Sequence, residues 1–200
     1  MLTTEIHRSL DSTLDALINE EQIVAIFQNH SEWGPRALGN RSIMFDPRHP
    51  NAKNIVNAVK KREHYRPFAC TVMLEHANDY FEMLQLPESP WMSFAIQCKP
   101  KALKDIPTLV HADNTCRIQT VTEEQNKNYY NLIKGFYERT GVPIIFNTSF
   151  NLGGEAICET IYDAIDTCNR SMINHLYVPE DQEIDIPYEC IRDKTEYIPD

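Results

Sequence analysis

The run Ile-Val-Ala-Ile-Phe at 23–27, apolar at every position, constrains the fold more than any other stretch of the chain. It has neither the alternation of a half-exposed strand nor the length of a helix. With polar residues on both flanks it reads as a short buried strand. Further β-rich runs follow at 68–74, 93–98, 116–121, 143–146 and 176–178. Between them the apolar spacing turns helical. Ile6, Leu10, Leu14 and Leu17, at spacings of four and three, predict an amphipathic helix ending near Asn19-Glu20-Glu21. Residues 54–61 predict a second helix, with Ile55, Val56 and Val59 inward and lysines near its C-terminal end, where the macrodipole favours cations. Tyr129, Leu132, Ile133, Phe136 and Tyr137 predict a third, stopped by Gly141 and Pro143, and Ile161, Ala164, Ile165 and Cys168 a last one. Helices interleaved with short strands predict an α/β sheet domain whose strand order the sequence leaves open.

With 200 residues, 42% of them hydrophobic, the chain can bury one sizeable core. The expected division is a single domain over 1–179 and an acidic, proline-punctuated tail or docking segment over 180–200. The first residues are too charged for a signal peptide, and no run approaches the roughly 18 apolar residues of a membrane span. A cytoplasmic protein without a membrane partner is expected. Cysteines at 70, 98, 116, 158, 168 and 190 include no C-x-x-C pair, so reduced packing thiols are expected rather than a zinc or redox motif.

The net charge of −10 argues against this chain alone contacting nucleic acid. Yet between Arg36 and Arg66 lie eight basic residues (Arg36, Arg41, Arg48, Lys53, Lys60, Lys61, Arg62, Arg66) against Asp46 and Glu63, a local balance of +6. One basic segment in an acidic body suggests a focused anion site. A solvated basic helix face is the plainer alternative.

Polar segments at the ends of the expected elements are where binding groups belong. The first is EWGPRALGNRS at 32–42, whose glycines permit close backbone approach and whose Arg36 and Arg41 offer forked donors to phosphate or carboxylate oxygens. These arginines could equally cap backbone carbonyls. The second is VKKREHYRPFA at 59–69, where Lys60 and Arg62 can converge on one anion at a helix end running into Pro67. The third is IIFNTSFNLGGE at 144–155: on an extended chain Asn147, Ser149 and Asn151 share a face, and Gly153-Gly154 turns the chain away. Ordinary turn chemistry accounts for that segment as well.

Taken together and in order, FQxxxEWGPRALGNRSIxxDPR, NxxVKxREHYRPFA, DxTxRIQTV and GVPIIFNTSFNLGGE resemble the C-terminal part of the O-carbamoyltransferases that decorate nodulation factors and antibiotics, from about residue 23 to 178. The resemblance implies a YrdC-like fold, a twisted mixed sheet with flanking helices and a basic concave face. It implies that carbamoyl phosphate and ATP with Mg²⁺ yield carbamoyl adenylate there, and that an actin-like ATPase-fold domain transfers the carbamoyl group to an acceptor hydroxyl. On that reading Arg36, Lys60, Arg62 and Arg66 hold the phosphates and carbamoyl group, Arg117 closes the site, and Arg41, Asn147, Ser149 and Asn151 bind nucleotide or carbamoyl oxygens. Mg²⁺ would ride on the nucleotide phosphates, since no acidic cluster makes a cage for it.

Cys70 stands where the family commonly has proline, and Asn114 where glycine is usual. The transfer half, with its metal-binding histidine pair, is not in this sequence, so it is expected on a separate subunit as partner, or is missing. The histidines at 7, 30, 49, 64, 76, 111 and 175 form no H-x-x-x-H pair, and no stable transition-metal site is expected. The competing functions are a non-catalytic anion- or nucleotide-binding module and a threonylcarbamoyl-adenylate synthase for tRNA modification. The docking surfaces expected for a partner are the apolar face of the first helix and the tail.

Overall fold

The computed structural model describes residues 4–186. In chain order the elements are β1 (Glu5–His7), α1 (Leu10–Ile18), β2 (Val24–Phe27), β3 (Arg41–Phe45), α2 (Ala52–Val59), β4 (Ala69–Met73) and α3 (Ala77–Tyr80). They continue with β5 (Ala95–Gln97), α4 (Pro100–Asp105), β6 (Thr115–Val121), α5 (Lys127–Thr140), β7 (Ile144–Ser149), α6 (Ile161–Arg170) and β8 (His175–Tyr177). The strands form one mixed sheet in the order β1-β8-β2-β3-β7-β4-β6-β5. Pairs β1/β8, β2/β8 and β4/β6 are parallel and the remainder antiparallel.

Helix ends follow local chemistry. Asn126 caps α5 by accepting from the Tyr129 amide, and Gly141 closes it at φ 76°. Thr160 and Asp163 form a reciprocal capping box on α6. Two expectations are corrected. Ile6 belongs to β1, not to the first helix: Ser9 is extended and caps α1 through the Ser12 amide, so the helix starts at Leu10 despite the helical spacing to Ile6. Strand β3 was not expected, because its Arg-Ser start continues a loop-like sequence. It is nonetheless a central strand, buried along its whole length between β2 and β7.

The apolar face of α1 is not a docking surface either. Leu14 and Leu17 are buried in the core, and α1 packs against α5. Of the expected tail, residues 180–186 lie against the domain. The Arg8 guanidinium donates to the Glu180 and Gln182 carbonyls at 3.0 and 3.1 Å, and Ile186 is buried. Residues 187–200, including Cys190, lie outside the described residues. Cys70, Cys98, Cys116, Cys158 and Cys168 are buried free thiols. No helix among the described residues is long and apolar enough to cross a membrane.

Sheet register brings polar residues from three strands into line. Asn147 on β7 pairs with Ala69 on β4, which pairs with Arg117 on β6. Paired residues project to the same face, so Asn147 and Arg117 stand in one row with only the Ala69 methyl between them. The next row inward is Ile145, Thr71 and Gln119.

Candidate functional site

The small side chain of Ala69 leaves room between Arg117 and Asn147, and a cavity of about 110 Å³ opens there, also lined by Arg36, Arg62, His111 and Ser149. A wider cleft of about 730 Å³ adjoins it, lined by Lys60, Arg62, Arg66, Ser149, Asn151 and the Gly153-Gly154 turn. Arg62 and Ser149 border both, so the two make one continuous site. The smaller cavity has three guanidinium groups in its lining and no carboxylate. In the larger one the only acid of the lining, Glu63, is paired with Arg66 at 2.8 Å.

Lys60 and Arg62 converge because α2 ends in a tight left-handed turn. The Arg62 amide bonds to the Asn57 carbonyl, the Lys61 amide to the Ala58 carbonyl, and Lys61 sits at φ 52°. That is the Schellman pattern with lysine where glycine is usual. The turn is clasped from the other side. The Gly153 amide donates to the Lys60 carbonyl at 2.8 Å, and a Cβ at Gly153 would lie 2.9 Å from the Lys61 carbonyl oxygen, so glycine is required there.

The Lys60 ammonium donates to the Ser149 carbonyl, to the Asn151 carbonyl at 2.9 Å and Oδ1 at 2.8 Å, and lies 3.3 Å from Ser149 Oγ. At 2% exposure Lys60 is buried at the edge of the cleft rather than open in it. Burial, and then the Arg62 charge, pushes it down to about 7. Arg62 is braced by Asn57 Oδ1 at 2.5 Å and by the Phe68 ring, 4.0 Å below its guanidinium carbon, and burial and Arg66 bring it down to about 10. Desolvation, then the neighbouring Arg117, lowers the Arg36 guanidinium below its usual range. Cations that depress one another's proton affinity form a site that attracts anions.

Asn147 is buried to 1% exposure. Its Nδ2 donates to the Ala37 carbonyl, Thr71 Oγ1 and Gln119 Oε1 at 3.1, 2.9 and 3.2 Å. Three acceptors around Nδ2 fix which way the amide points, and Oδ1 is left without a protein partner. A buried acceptor of this kind carries a desolvation cost until a donor reaches it.

The loop carrying Arg36 is held by residues to which the sequence assigns no role in the site. Glu32 Oε1 accepts from the amides of Leu38 and Asn40 at 2.8 and 2.7 Å. Gln119 Nε2 holds the Leu38 carbonyl, and Tyr129 donates to Thr71. Gly39, at φ 108°, lies so close to Tyr129 that a Cβ would fall inside the ring. Their signal lay in pairing across the sheet, which no local spacing contains.

Arg41 is corrected. It is 2% exposed, lies over the Phe27 ring, and its two terminal nitrogens donate to the carbonyls of Gln28, Asn40, Asn29 and Glu159. Capping carbonyls is the alternative that the sequence left open, and Arg41 adopts it; its charge does not line the cleft. Asn147 and Ser149 share the β7 face as expected, while Asn151 lies past the strand end and reaches the site through Lys60 and Ser149 Oγ, the latter at 2.7 Å.

The geometry now meets known proteins. The family "Carbamoyltransferase C-terminus" matches residues 15–182. The chain belongs to this family. It is 44% identical over 166 residues to the nodulation protein NolNO of Sinorhizobium fredii, covering 80% of this chain and 24% of the relative. It is 42% identical over 161 residues to the nodulation protein NolO of Bradyrhizobium diazoefficiens, covering 78% and 29%. The carbamoyltransferase C-terminal domain thus spans under a third of these relatives. Among solved structures, full-length HypF in a phosphate- and nucleotide-bound form superposes with TM-score 0.58 at 20% identity, over 88% of this chain and 25% of that one. Sua5 of P. abyssi in complex with L-threonine superposes with TM-score 0.58 at 10% identity, over 91% and 51%. At these identities the likeness is one of fold, and the fold is YrdC-like.

Proposed function

We propose that this domain activates a carbamoyl group as its adenylate. Water releases phosphate from carbamoyl phosphate, leaving carbamate, and a carbamate oxygen attacks the α-phosphorus of ATP and displaces pyrophosphate. One observation carries the reading: the cavity with three arginines also has Asn147 in its lining, and the buried Oδ1 of that amide lacks a donor. Guanidinium groups suit the phosphate and carboxyl oxygens. An unpaired acceptor suits the NH₂ that distinguishes a carbamoyl group from carbonate or phosphate. The wider cleft, with Lys60, Arg62 and Arg66, then receives the nucleotide phosphates, and fixed cations stabilise the charge that develops on the leaving pyrophosphate. Mg²⁺ would neutralise phosphate charge; the cationic donor set fits a metal carried on the nucleotide rather than one held by protein carboxylates.

The relatives' greater length supports a second stage, in which an actin-like transfer unit working with this domain moves the carbamoyl group to an acceptor hydroxyl. With α1 buried, the face we assign to it is the one around Trp33 and Trp91, 101% and 69% exposed. It flanks a cavity of about 770 Å³ that includes Leu38, one residue beyond the Ala37 of the arginine cavity.

The test is pyrophosphate release by the purified chain with ATP and Mg²⁺. Release is expected with carbamoyl phosphate, and not with threonine and bicarbonate in its place. The reverse preference would move the domain to threonylcarbamoyl-adenylate synthesis, and nucleotide binding without release under either condition would leave a binding module.

The state of Lys60 predicts a pH dependence. Below about 7 its buried amine is an ammonium whose charge adds to the field that draws phosphate into the cleft, and above that value the free domain loses the charge. The expected kcat/KM therefore falls about tenfold per pH unit above neutrality. Stability runs the other way. The unfolded lysine holds its proton up to its ordinary value of 10.5, so the cost that burial imposes on Lys60 is set by how far the pH lies below 10.5, and its contribution grows as pH rises from about 7 toward 10.5. Steady-state rates and thermal melts across pH 6.5–9.5 check both directions; a flat rate profile would exclude the Lys60 charge from substrate binding.

A further inference from the structure

At the opposite edge of the sheet, β1 and β8 bring together groups that lie far apart in sequence. Glu5 and His7 alternate along β1 and share a face, and Glu5 is paired in register with His175 on β8. One ligand atom each from Glu5, His7 and His175 fall within 4.8 Å of one another. His7 Nε2 and His175 Nδ1 face each other at 2.9 Å, and Glu5 Oε2 lies 3.9 Å from the same His175 nitrogen. The histidines are buried at 0% and 6% exposure, whereas the Glu5 side chain is about half exposed, so the cluster is closed inward and open toward solvent.

We propose that Glu5, His7 and His175 bind a divalent transition metal, with zinc the best match, clipping β1 to the sheet. Ligands around a tetrahedral zinc at its usual bond lengths of about 2.0–2.1 Å stand about 3.3 Å apart. The observed 2.9 and 3.9 Å bracket that spacing and the third pair, Glu5 with His7, lies within 4.8 Å, so rotation of the half-exposed Glu5 side chain brings its carboxylate to the two imidazoles. Two imidazoles and a carboxylate are a zinc-type donor set, and the open side leaves the fourth position for water. Glu20 Oε2, 3.9 Å from His175 Nε2, favours the proton on that nitrogen and leaves Nδ1 with its lone pair toward the metal. The proton that His7 Nε2 shares with His175 Nδ1 moves to His7 Nδ1 when the metal takes its place, so a neutral pair loses no proton on binding.

The site is independent of the cation cleft: none of its ligands lines either of the two cavities there. It departs from the expectation of no transition-metal site, which rested on spacing; His7 and His175 are 168 positions apart.

The experiment is titration of the chelator-treated full chain with Zn²⁺ by calorimetry and with Co²⁺ by absorption, alongside thermal melts. The expected result is one ion per chain with micromolar or tighter affinity, the intense visible bands of tetrahedral Co²⁺, and a melting temperature that rises with free Zn²⁺. Glu5→Gln, at an exposed position, should fold and bind at least about tenfold more weakly. His175→Gln should lose the Co²⁺ bands; should it fail to fold, Glu5→Gln alone decides. Absence of one-to-one binding, or an unchanged affinity in Glu5→Gln, overturns the proposal.

Discussion

Arg36→Ala is expected to lower carbamoyl-phosphate-dependent pyrophosphate release by about 10²–10³-fold, the usual effect of removing one preorganised donor from a site where charge develops. The fold should not register the change, because Arg36 is exposed and its guanidinium makes none of the described hydrogen bonds. Arg62→Ala should cost at least as much activity, since Arg62 borders both the small cavity and the wide cleft. It should also destabilise by about 1–3 kcal/mol, because the buried Asn57 Oδ1 loses its partner and Phe68 loses the guanidinium stacked on it. The pair of variants separates catalysis from folding: equal melting temperature with lost rate for the first, both lowered for the second. A wild-type rate and KM in a folded Arg36→Ala variant would remove the arginine cavity from the reaction.

How much of this was legible in the sequence depends on the range of the interaction involved. Residues 23–27, 68–74 and 143–146 read as strands because burial on both faces leaves an apolar run, and the structure places β2, β4 and β7 there. The helix spacing around Tyr129 and the stop at Gly141 were equally local. Strand β3 was hidden because its first residues, Arg41 and Ser42, are polar for tertiary reasons. Arg41 clamps four carbonyls from segments as distant as Glu159, and Ser42 Oγ accepts from the Gly39 amide. Lys60 and Arg62 were found as a charged pair, but their convergence needed the left-handed Lys61, a residue type that does not announce such a turn. What no spacing could contain was the row of Asn147, Ala69 and Arg117 across three strands, or the His7–His175 contact. Strand order creates those neighbours, and strand order is a property of the whole chain.

The residue one row inward from that site gives the largest stability effect. Ile145 is fully buried on β7, paired with Thr71, whose other neighbour across the sheet is Gln119. Polar groups are therefore close by, and an aspartate at 145 would seek them. They are already committed. Thr71 Oγ1 donates to Gln119 Oε1 and accepts from Tyr129 and from Asn147 Nδ2, while Gln119 Nε2 is held by the Leu38 carbonyl. One amide proton of Gln119 Nε2 is the single donor left over among these groups, too few to satisfy a carboxylate. Protonation would remove the charge but still leave a hydroxyl to satisfy and the space of the lost Ile145 methyl and methylene groups to fill. An unpaired buried acid costs at least several kcal/mol, against a total stability of about 5–15 kcal/mol for a domain of this kind. Ile145→Asp is thus expected to yield insoluble protein or a chain without a cooperative melt. Ile145→Val, which removes one methylene and adds no polar group, should cost only about 1 kcal/mol and retain activity. A soluble Ile145→Asp domain with a sharp thermal transition would mean that β7 does not lie where the structure places it.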